Sequence, residues 1–289
     1  MTASSAPHLF CFGLGYTAEA LARTMLAKGW RVAGTVREPA RADELRKLGI
    51  EIFAFDRARA LADPVAALGL GAHVLSSIPP DEDGDPALDR HAADLIAARP
   101  RWIGYLSTTG VYGDAQGEWV DETTPPRPRL ARGRRRLLAE MRWRGLVPAA
   151  HVFRLAGIYG PGRSALDALR EGRARRWVKP GQVFCRIHVA DIVRALIASM
   201  ARPNPGQVYN LADNNPAPPQ DAVAFAAALL GIEPPPEEPF APERMSPMAA
   251  SFYADNRRVA NDRARQELGL SLLYPSYRVG LTELHRQGH

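Results

Sequence analysis

The chain of 289 residues has only two cysteines, Cys11 and Cys185. Two cysteines cannot build a disulfide framework, and neither has partners at the spacing of a metal site. We therefore expect no structural disulfide and no metal. Cys11 alternates with Phe10 and Phe12 in an apolar run, which predicts that it is a small residue of a buried strand.

Lysine is nearly absent, since Lys28, Lys47 and Lys179 are the only three. Arginine takes its place almost everywhere, and the formal net charge is +6. Such a replacement more often reflects the base composition of a genome than a function. The basic residues are scattered and lack the stacking aromatics of a single-strand binder, so the sequence does not favour nucleic acid as a partner.

Long apolar runs are also missing, because none approaches the roughly 18 residues that a membrane span needs. Met1–Pro7 lacks the charged and apolar regions of a signal peptide. With 46% hydrophobic and 24% charged residues, the composition is that of a globular protein. We expect a cytoplasmic protein with no membrane partner, built as one large α/β domain or as a large domain with a small one attached.

The most informative stretch is a glycine-rich turn that follows the apolar run Leu9–Phe12. It has the pattern Gly-x-Gly-x-x-Ala at the start of a strand–helix–strand unit, which is typical of a dinucleotide site. Gly13 lets the turn close, Gly15 leaves room for a pyrophosphate, and Ala18 seats the helix on the sheet. An ordinary strand-to-helix turn is the alternative. The cofactor contacts predicted here are Gly13, Leu14, Gly15, Tyr16 and Thr17.

The second predicted strand, Gly29–Val36, ends where such folds face the adenosine ribose. An acidic residue there selects NAD, whereas this strand is followed by Arg37, whose guanidinium suits a 2′-phosphate. NADP is therefore favoured, although the adjacent Glu38 keeps NAD open and a solvated surface arginine is the alternative. A third strand, Ile50–Phe55, is followed by Asp56, which either lies near the adenine or caps the next turn.

Two further strands are predicted to end at the ligand-binding edge of the sheet. His73–Pro80 breaks at two prolines and leaves Ser76, Ser77 and Ile78 along the path of the cofactor. Trp102–Gly113 runs into hydroxyl residues at its C-terminal end, which is the edge where open α/β sheets bind ligands.

Leu106–Gly113, together with Gly13–Ala18, resembles the extended short-chain dehydrogenase/reductase family of NAD(P)-dependent epimerases and dehydratases. Further matches, in the order of the family, are Arg154–Gly162, Arg186–Asp191, Val208–Asp213 and Tyr274–Arg278. The resemblance implies a Rossmann fold, a doubly wound parallel sheet with a small C-terminal α/β substrate lobe. It implies a cofactor domain over residues 1–158 and 187–216 and a substrate lobe over residues 159–186 and 217–289.

The resemblance also locates the catalytic machinery. A Ser or Thr before the strand-end tyrosine orients the substrate in that family, a role that falls to Thr108 before Tyr112. A Tyr-x-x-x-Lys pair on the next helix moves the proton, but those positions hold Arg132 and Arg136, and no tyrosine occurs between Tyr112 and Tyr159. Arginine stays protonated up to about pH 12 and is no ordinary proton shuttle. The tetrad is therefore incomplete, and Thr108 or Tyr112 is left as proton donor.

Two interpretations of the arginine run remain open. Either the arginines form the solvated face of a helix, or Arg132 or Arg136 lines the cleft and binds an anionic group of the substrate bidentately. In the first interpretation the helix turns Leu137, Leu138 and Met141 towards the core.

Acidic residues give little catalytic signal. Family dehydratases carry an acidic pair directly after the Thr, where this chain has Thr109 and Gly110, so sugar dehydration is not expected. The acids that follow Tyr112 are expected to be surface or capping residues; they are Glu118, Asp121 and Glu122.

The substrate lobe is assigned through the resemblance. It places Ile158 beside the nicotinamide and starts the lobe near Tyr159, with Arg163 among the expected substrate contacts. His188 is expected to be structural first and a substrate contact second, and Asp191 to be an acid at a helix start. A helix over Ala165–Arg175 carries arginines that either bind an anionic substrate or lie on the surface; they are Arg170, Arg173 and Arg175.

These observations predict an NAD(P)-dependent oxidoreductase or epimerase, with NADP as the preferred cofactor. Its substrate is small and polar or anionic, with sugar- and nucleotide-linked compounds among the candidates, and its proton-transfer group is non-standard. The alternative is a redox sensor or regulatory protein that binds NADP(H) without turnover. A homodimer formed through the outer helices is expected by analogy alone.

Overall fold

The computed structural model describes residues 6–146 and 148–289. The predictions made for Met1–Ser5, and for Val147 at the start of the predicted strand Val147–Leu155, lie outside the described residues. The chain divides into two compact units, and the predicted domain boundaries stay a prediction. Unit 1 comprises Met1–Thr108, Arg134–Arg154 and Ala195–Tyr209, and unit 2 comprises Thr109–Gly133, Leu155–Arg194 and Asn210–His289.

Short strands alternate with helices along the chain. The strands are β1 His8–Phe12, β2 Arg31–Val36, β3 Glu51–Ala54, β4 His73–Ser76, β5 Trp102–Thr108, β6 Trp119–Val120, β7 His151–Leu155, β8 Gly157–Tyr159, β9 Arg176–Val178, β10 Arg186–His188, β11 Val208–Leu211, β12 Glu237–Pro239 and β13 Arg258–Val259. The helices are α1 Tyr16–Ala27, α2 Pro39–Arg46, α3 Pro64–Leu68, α4 Pro86–Ala98, α5 Ala131–Arg144, α6 Ala165–Arg170, α7 Val189–Ala201, α8 Pro219–Leu230, α9 Pro247–Phe252, α10 Asp262–Glu267 and α11 Tyr277–Arg286. Single 3-10 turns occupy Thr109–Tyr112 and Pro242–Arg244.

Seven strands form one parallel sheet in the order β11-β7-β5-β4-β1-β2-β3. The order reverses between β1 and β4, where Phe12 pairs with Ser76. Doubly wound sheets bind ligands beyond the carboxyl ends of the strands at such a switch point. The predicted fold class is confirmed.

Unit 1 has a core of buried apolar and aromatic side chains around β1, β4 and β5. Its central strands read as continuous apolar runs because helices cover both faces of a parallel sheet. Cys11 is fully buried, as predicted, and burial raises the pKa of its thiol to about 12. Trp143 of α5 stacks on Tyr105 and donates its Nε1–H to Asp85, the residue that caps α4.

Unit 2 contains three pairs of short parallel strands, β10 with β8, β12 with β9 and β13 with β6. The sequence predicts a stiff, proline-rich connection over Glu233–Pro242, and β12 lies within it. The predicted helix Ala165–Arg175 was too long, since α6 ends at Arg170 and Gly172 turns the chain with a φ of 64°. Arg173 and Arg175 thus lie beyond the helix.

Other element boundaries differ from the predictions by a few residues. The sequence predicts a strand that reaches Leu155, and β7 begins at His151, because the N–H of Ala150 donates to Trp143 O at 3.1 Å rather than to a neighbouring strand. The sequence also predicts a helix over Asp221–Leu230 that ends at Gly231. Helix α8 begins two residues earlier, at Pro219, and ends at Gly231 as expected. Among the described residues, no helix has the length and apolarity that crossing a membrane requires.

Gly280 of α11 is required by the packing of unit 2. A Cβ atom at this position would lie 2.1 Å from Tyr159 Oη and 2.7 Å from the tyrosine ring. We expect Gly280→Ala to lower the free energy of unfolding by about 1–3 kcal/mol, because the ring must leave its place in the core. Urea denaturation measures this loss. Unchanged stability of Gly280→Ala would contradict the tight contact.

Candidate functional site

The glycine turn at the switch point is fixed from both neighbouring strands. Gly13 has a φ of 81°, and its N–H donates to Thr35 Oγ1 at 2.8 Å, while Leu14 N–H donates to Thr35 O at 2.9 Å. From the end of β4, Ser77 Oγ donates to Gly13 O at 2.6 Å. A Cβ at Gly13 would lie 2.8 Å from Ile78 Cγ1. The structure thus brings Gly13, Ser77 and Ile78 together at the end of β1.

The residues at this turn fit the phosphates of a dinucleotide. A Cβ at Gly15 would meet no heavy atom within 4 Å, so the backbone there borders open space. Gly15 is also the N-cap of α1 and has no side chain with which to cap it, which leaves N–H groups of the first turn for an anion. At the end of β4, Ser76 Oγ is buried with no partner among the residues described. Leu14 and Thr17 are buried and Tyr16 is half-buried beside them.

Arg37 and Asp56 follow the next two strands of the sheet. Arg37 is exposed directly after β2, and no ion pair joins it to another residue in the described ranges. Glu38 is the N-cap residue of α2. Asp56 Oδ1 accepts the N–H groups of Ala58 at 2.9 Å and Arg59 at 2.8 Å, so the capping role is present and a contact with the adenine stays a prediction.

At the end of β5, Ser107 makes a buried polar contact. Ser107 Oγ donates to Glu140 Oε1 of α5 at 2.5 Å. Arg154 of β7 donates to the same carboxylate through Nη2 at 2.8 Å and through Nε at 3.2 and 3.3 Å. All three side chains are buried, and Thr108 beside them is half-buried. We call Ser107, Glu140 and Arg154 the buried triad. The sequence analysis did not predict it, and its only sign in the sequence is that the acidic Glu140 lies among apolar residues of a helix.

Arg136 serves the fold of unit 1. Its Nη1 donates to Leu106 O at 2.6 Å and to Tyr105 Oη at 3.2 Å, and its guanidinium lies 5.6 Å from the centre of the Tyr105 ring. These contacts rule out the interpretation that Arg136 is a solvated surface residue, and a contact with the substrate stays a prediction. The side chain of Arg136 binds a main-chain carbonyl.

The prediction that Leu138 and Met141 face the core was wrong. They are 61% and 63% exposed, whereas Ala139, Glu140 and Trp143 are buried. Glu140 and Trp143 are three residues apart and share one face of α5, which leaves Leu138 and Met141 on another. The error arose because an acid with a buried partner occupies the face that apolar residues were expected to fill.

In unit 2, Tyr112 and Glu122 both bind Asn210. Tyr112 is 4% exposed, and its hydroxyl donates to Asn210 Oδ1 at 2.8 Å. Asn210 N–H donates to Glu122 Oε1 at 2.7 Å, and burial raises the pKa of Glu122. Glu122 is therefore not the surface residue that was expected, while Asp121 does cap the turn at Thr123 and Thr124.

Arg132 lies among residues of unit 2 that come late in the chain. Its guanidinium is 4.6 Å from the centre of the Phe252 ring, and Nη1 contacts Met248 Sδ at 3.0 Å. Partial burial lowers the pKa of Arg132, and the charges of Asp255 and Arg257 act on it in opposite directions. Asp255 Oδ2 accepts from Arg257 Nη1 at 3.2 Å, and Asp255 Oδ1 has no partner within the described ranges.

His188 is surrounded by aromatic rings. The centres of the Tyr159 and Tyr274 rings lie 5.1 and 3.9 Å from its own. Burial lowers the pKa of His188 to about 4, so the imidazole is neutral near pH 7. Its Nδ1 accepts the N–H of Ala190 at 3.2 Å, which leaves the proton on Nε2. The structural role expected first for His188 is present, and a substrate contact stays a prediction.

Asp191 lies in the first turn of α7, but it does more than stabilise the helix start. Its two oxygens accept the N–H groups of Leu273 at 2.7 Å and Tyr274 at 3.0 Å. It thereby holds the segment before α11 within unit 2. Ile158 pairs with Ile187 between β8 and β10, and Arg163 is exposed in the turn that follows.

Asp213 was not singled out from the sequence. It is 1% exposed, its Oδ1 accepts Asn215 N–H at 3.1 Å, and its Oδ2 has no partner among the residues described. Burial raises its pKa to about 7, which the Asn215 hydrogen bond and the charge of Arg186 only partly oppose. Within the described ranges, no group of three or more His, Cys, Asp or Glu residues is placed to hold a metal ion.

A doubly wound parallel sheet with a glycine turn at its switch point defines a Rossmann-type dinucleotide-binding protein. No family model matches the chain. It is 33% identical to Protein YeeZ of Escherichia coli K12 over 241 residues, which cover 77% of this chain and 84% of YeeZ. It also shares 48% identity and a TM-score of 0.90 with a conserved protein of unknown function from Silicibacter pomeroyi, over 98% and 99% of the two chains.

A structure from Methylobacillus flagellatus, named for the NAD-dependent epimerases and dehydratases, is 25% identical with a TM-score of 0.71 over 99% of both chains. MoeE5, solved with UDP-glucose and NAD, is 20% identical with a TM-score of 0.77, over 98% of this chain and 99% of MoeE5, and shares the fold. The chain belongs to one family with YeeZ. Its neighbours among solved structures are NAD-dependent epimerases and dehydratases with the extended short-chain dehydrogenase/reductase fold, which confirms the resemblance that its motifs predicted.

Removal of the Glu140 charge tests the buried triad. We expect Glu140→Gln to lower the free energy of unfolding by about 3–5 kcal/mol, because it removes the carboxylate charge that pairs with the buried guanidinium of Arg154 at 2.8 Å. Urea denaturation provides the measurement. The control is Glu82→Gln, which removes an ion pair between Arg135 and a side chain that is 85% exposed, at an expected cost of about 0–1 kcal/mol. Similar losses in both variants would refute the role of the triad.

The raised pKa of Asp213 predicts a pH-dependent stability. Between about pH 4 and pH 7 the unfolded chain releases this proton while the folded protein retains it, so ionisation costs the native state stability as the pH rises. The side chain at this position cannot ionise in Asp213→Asn. The free energy of unfolding of this variant should therefore rise relative to that of the wild type over this range, by roughly 1.4 kcal/mol for each pH unit by which folding raises the pKa of Asp213. Urea denaturation of both proteins at pH 4 and pH 8 measures the gain. A difference that is constant with pH would contradict it.

Proposed function

We propose that the chain is an NAD(P)-dependent oxidoreductase or epimerase-like enzyme of this family, which prefers NADP and acts on a small polar or anionic substrate. The observation that carries the proposal is the glycine turn, where Gly13 is held from both sides and Gly15 borders open space. The NAD bound by MoeE5, which has the same fold, supports a nicotinamide dinucleotide.

Each part of the cofactor site has a proposed role. The turn at Gly13 and Gly15 and the start of α1 would hold the pyrophosphate through backbone N–H groups. Arg37 would bind a 2′-phosphate, since its guanidinium is exposed at the end of β2. Ser76 and Ile158 remain proposed contacts further along the dinucleotide. The bound cofactor would supply hydride transfer.

Proton handling differs from that of enzymes with a Tyr-x-x-x-Lys pair. Arg136 cannot replace the lysine as a mobile group, because it is tied to the carbonyl of Leu106. We propose that Thr108 orients the substrate oxygen, with its main chain steadied by the neighbouring contact between Ser107 and Glu140. Tyr112 remains the second candidate, although its hydroxyl proton is already donated to Asn210.

The proposed substrate contacts lie in unit 2 and carry positive charge. Arg132 and Arg163 supply guanidinium groups, and Tyr159 and His188 supply a phenol and a neutral imidazole. A guanidinium binds carboxylate or phosphate through paired hydrogen bonds. An anionic substrate is therefore favoured over a neutral one.

A redox sensor that binds NADP(H) without turnover is the second candidate. One observation favours it, namely that arginines occupy both positions of the tyrosine–lysine pair. Binding of NADPH together with a failure to exchange hydride with any of a broad panel of carbonyl compounds would support this candidate over an enzyme.

Calorimetric titration with NADPH, NADP, NADH and NAD tests the cofactor site. We expect NADPH to bind more tightly than NADH, and Arg37→Ala to remove most of this advantage, since the arginine charge meets only the 2′-phosphate. Gly15→Val should weaken all four ligands at least tenfold, because its side chain occupies the space beside the backbone that the pyrophosphate needs, and thermal unfolding verifies that the variant is folded.

The matched control for the arginine variant is Arg23→Ala, on the exposed side of α1 and ion-paired with Glu19. If none of the four dinucleotides binds to the wild type, the proposed function is wrong. If they bind but Arg37→Ala leaves the preference unchanged, the assignment of Arg37 is wrong and the cofactor site stands.

A further inference from the structure

One guanidinium of unit 2 lacks the partners that such a group normally has. Arg132 makes no ion pair with another described residue, and its hydrogen bond is to the thioether of Met248, a weak acceptor. Other arginines nearby in sequence are better satisfied, as Arg135 pairs with Glu82 and Arg136 binds a carbonyl. Because a guanidinium has five N–H donors, Arg132 retains donors for a ligand.

The side chains that contact Arg132 are apolar and unusually exposed. Phe252 is 53% exposed and Met248 is 61% exposed, and both lie on α9. The Phe252 ring contacts the guanidinium at 4.6 Å, so an apolar face and a charged group are next to each other. A ligand that covers both would have a planar apolar body and an anionic group.

The charged side chains around Arg132 indicate that the anionic group of the ligand carries a low charge. Arg257 adds one positive charge, but Asp255 removes one and is ion-paired with Arg257 at 3.2 Å. Together the three side chains carry a single net positive charge. A monocarboxylate carries one negative charge, which balances this net charge. A diphosphate carries more negative charge than the three side chains can neutralise.

We propose that Arg132, Phe252 and Met248 form the recognition site for an aromatic monocarboxylate, with the carboxylate on Arg132 and the ring against Phe252 and Met248. This inference rests on the proposed function, since it names the substrate class of the same enzyme. It separates this chain from relatives of the same fold that bind sugar nucleotides, such as MoeE5.

Calorimetric titration of the full chain, with and without saturating NADPH, tests the site with three probes. They are trans-cinnamate, acetate and UDP-glucose. We expect cinnamate to bind at least tenfold more tightly than acetate, because only cinnamate covers the Phe252 ring. It should also bind more tightly than UDP-glucose, because the diphosphate exceeds the charge of the site.

Variants assign the contacts. Arg132→Gln should weaken cinnamate at least tenfold, and Arg132→Lys should restore only part of this loss because an ammonium lacks the planar fork. Phe252→Ala should bring the affinity for cinnamate close to that for acetate. Arg135→Gln, on the same helix, is the control and should leave cinnamate binding unchanged. Thermal unfolding of each variant verifies that it is folded.

Two results would overturn the inference. They are equal affinity for cinnamate and acetate, and unchanged cinnamate binding in folded Arg132→Gln. Tighter binding of UDP-glucose that depends on Arg132 would overturn it as well, in favour of a sugar-nucleotide site. Arg132→Gln should keep the wild-type affinity for NADPH. The inference about the substrate can therefore be wrong while the proposed cofactor site stands. If the wild type does not bind NADPH, the proposed function itself is wrong.

Discussion

The buried ion pair between Glu140 and Arg154 constrains the end of β5 through the hydrogen bond of Ser107 to the same carboxylate. A carboxylate at 2% exposure and a guanidinium at 4% are tolerable only if their hydrogen bonds are satisfied, because each charge pays a large desolvation cost. Arg154 supplies two nitrogens and Ser107 supplies a hydroxyl. Any rotation of α5 would break these contacts, so the phase of the helix is fixed. That phase also places Arg136 on the carbonyl of Leu106.

The same helix shows how residues of one type acquire different roles. Arg136 gives its donors to a carbonyl oxygen of β5, whereas Arg132 meets a thioether and an aromatic ring in unit 2. A carbonyl is a strong acceptor and a thioether a weak one, so the hydrogen bond of Arg132 satisfies its guanidinium less well than that of Arg136 does. The run of arginines therefore follows neither of the two interpretations as a whole, and each arginine has to be judged by its own neighbours.

The sequence was sufficient to predict those features of the structure that local steric constraints decide. Gly13 is needed for a positive φ at a tight turn, and the alternation of strands and helices implies a parallel sheet, so the fold followed from short-range patterns. Glu140 and Arg154 were out of reach, because their pairing depends on how a helix sits on two strands. The error at Leu138 followed from this, since hydrophobicity alone cannot show that an acid occupies the core face. The end of α6 was predictable from Gly172, a residue type that commonly terminates helices.

The distribution of charge in unit 2 bears on the choice between a monocarboxylate and a diphosphate. A diphosphate site needs several guanidinium or backbone donors that converge on it. The arginines after α6 do not offer this, since Arg173 pairs with Glu171 and Arg175 donates to the carbonyls of Gly172 and Ala174. Their charge is used locally, on an exposed turn, rather than collected at one place. The guanidinium of Arg132 is, by contrast, partly buried against an aromatic ring, where one charge-assisted pair of hydrogen bonds gains strength from the lower local dielectric. A single well-placed cation beside apolar surface selects for an anion with an apolar body.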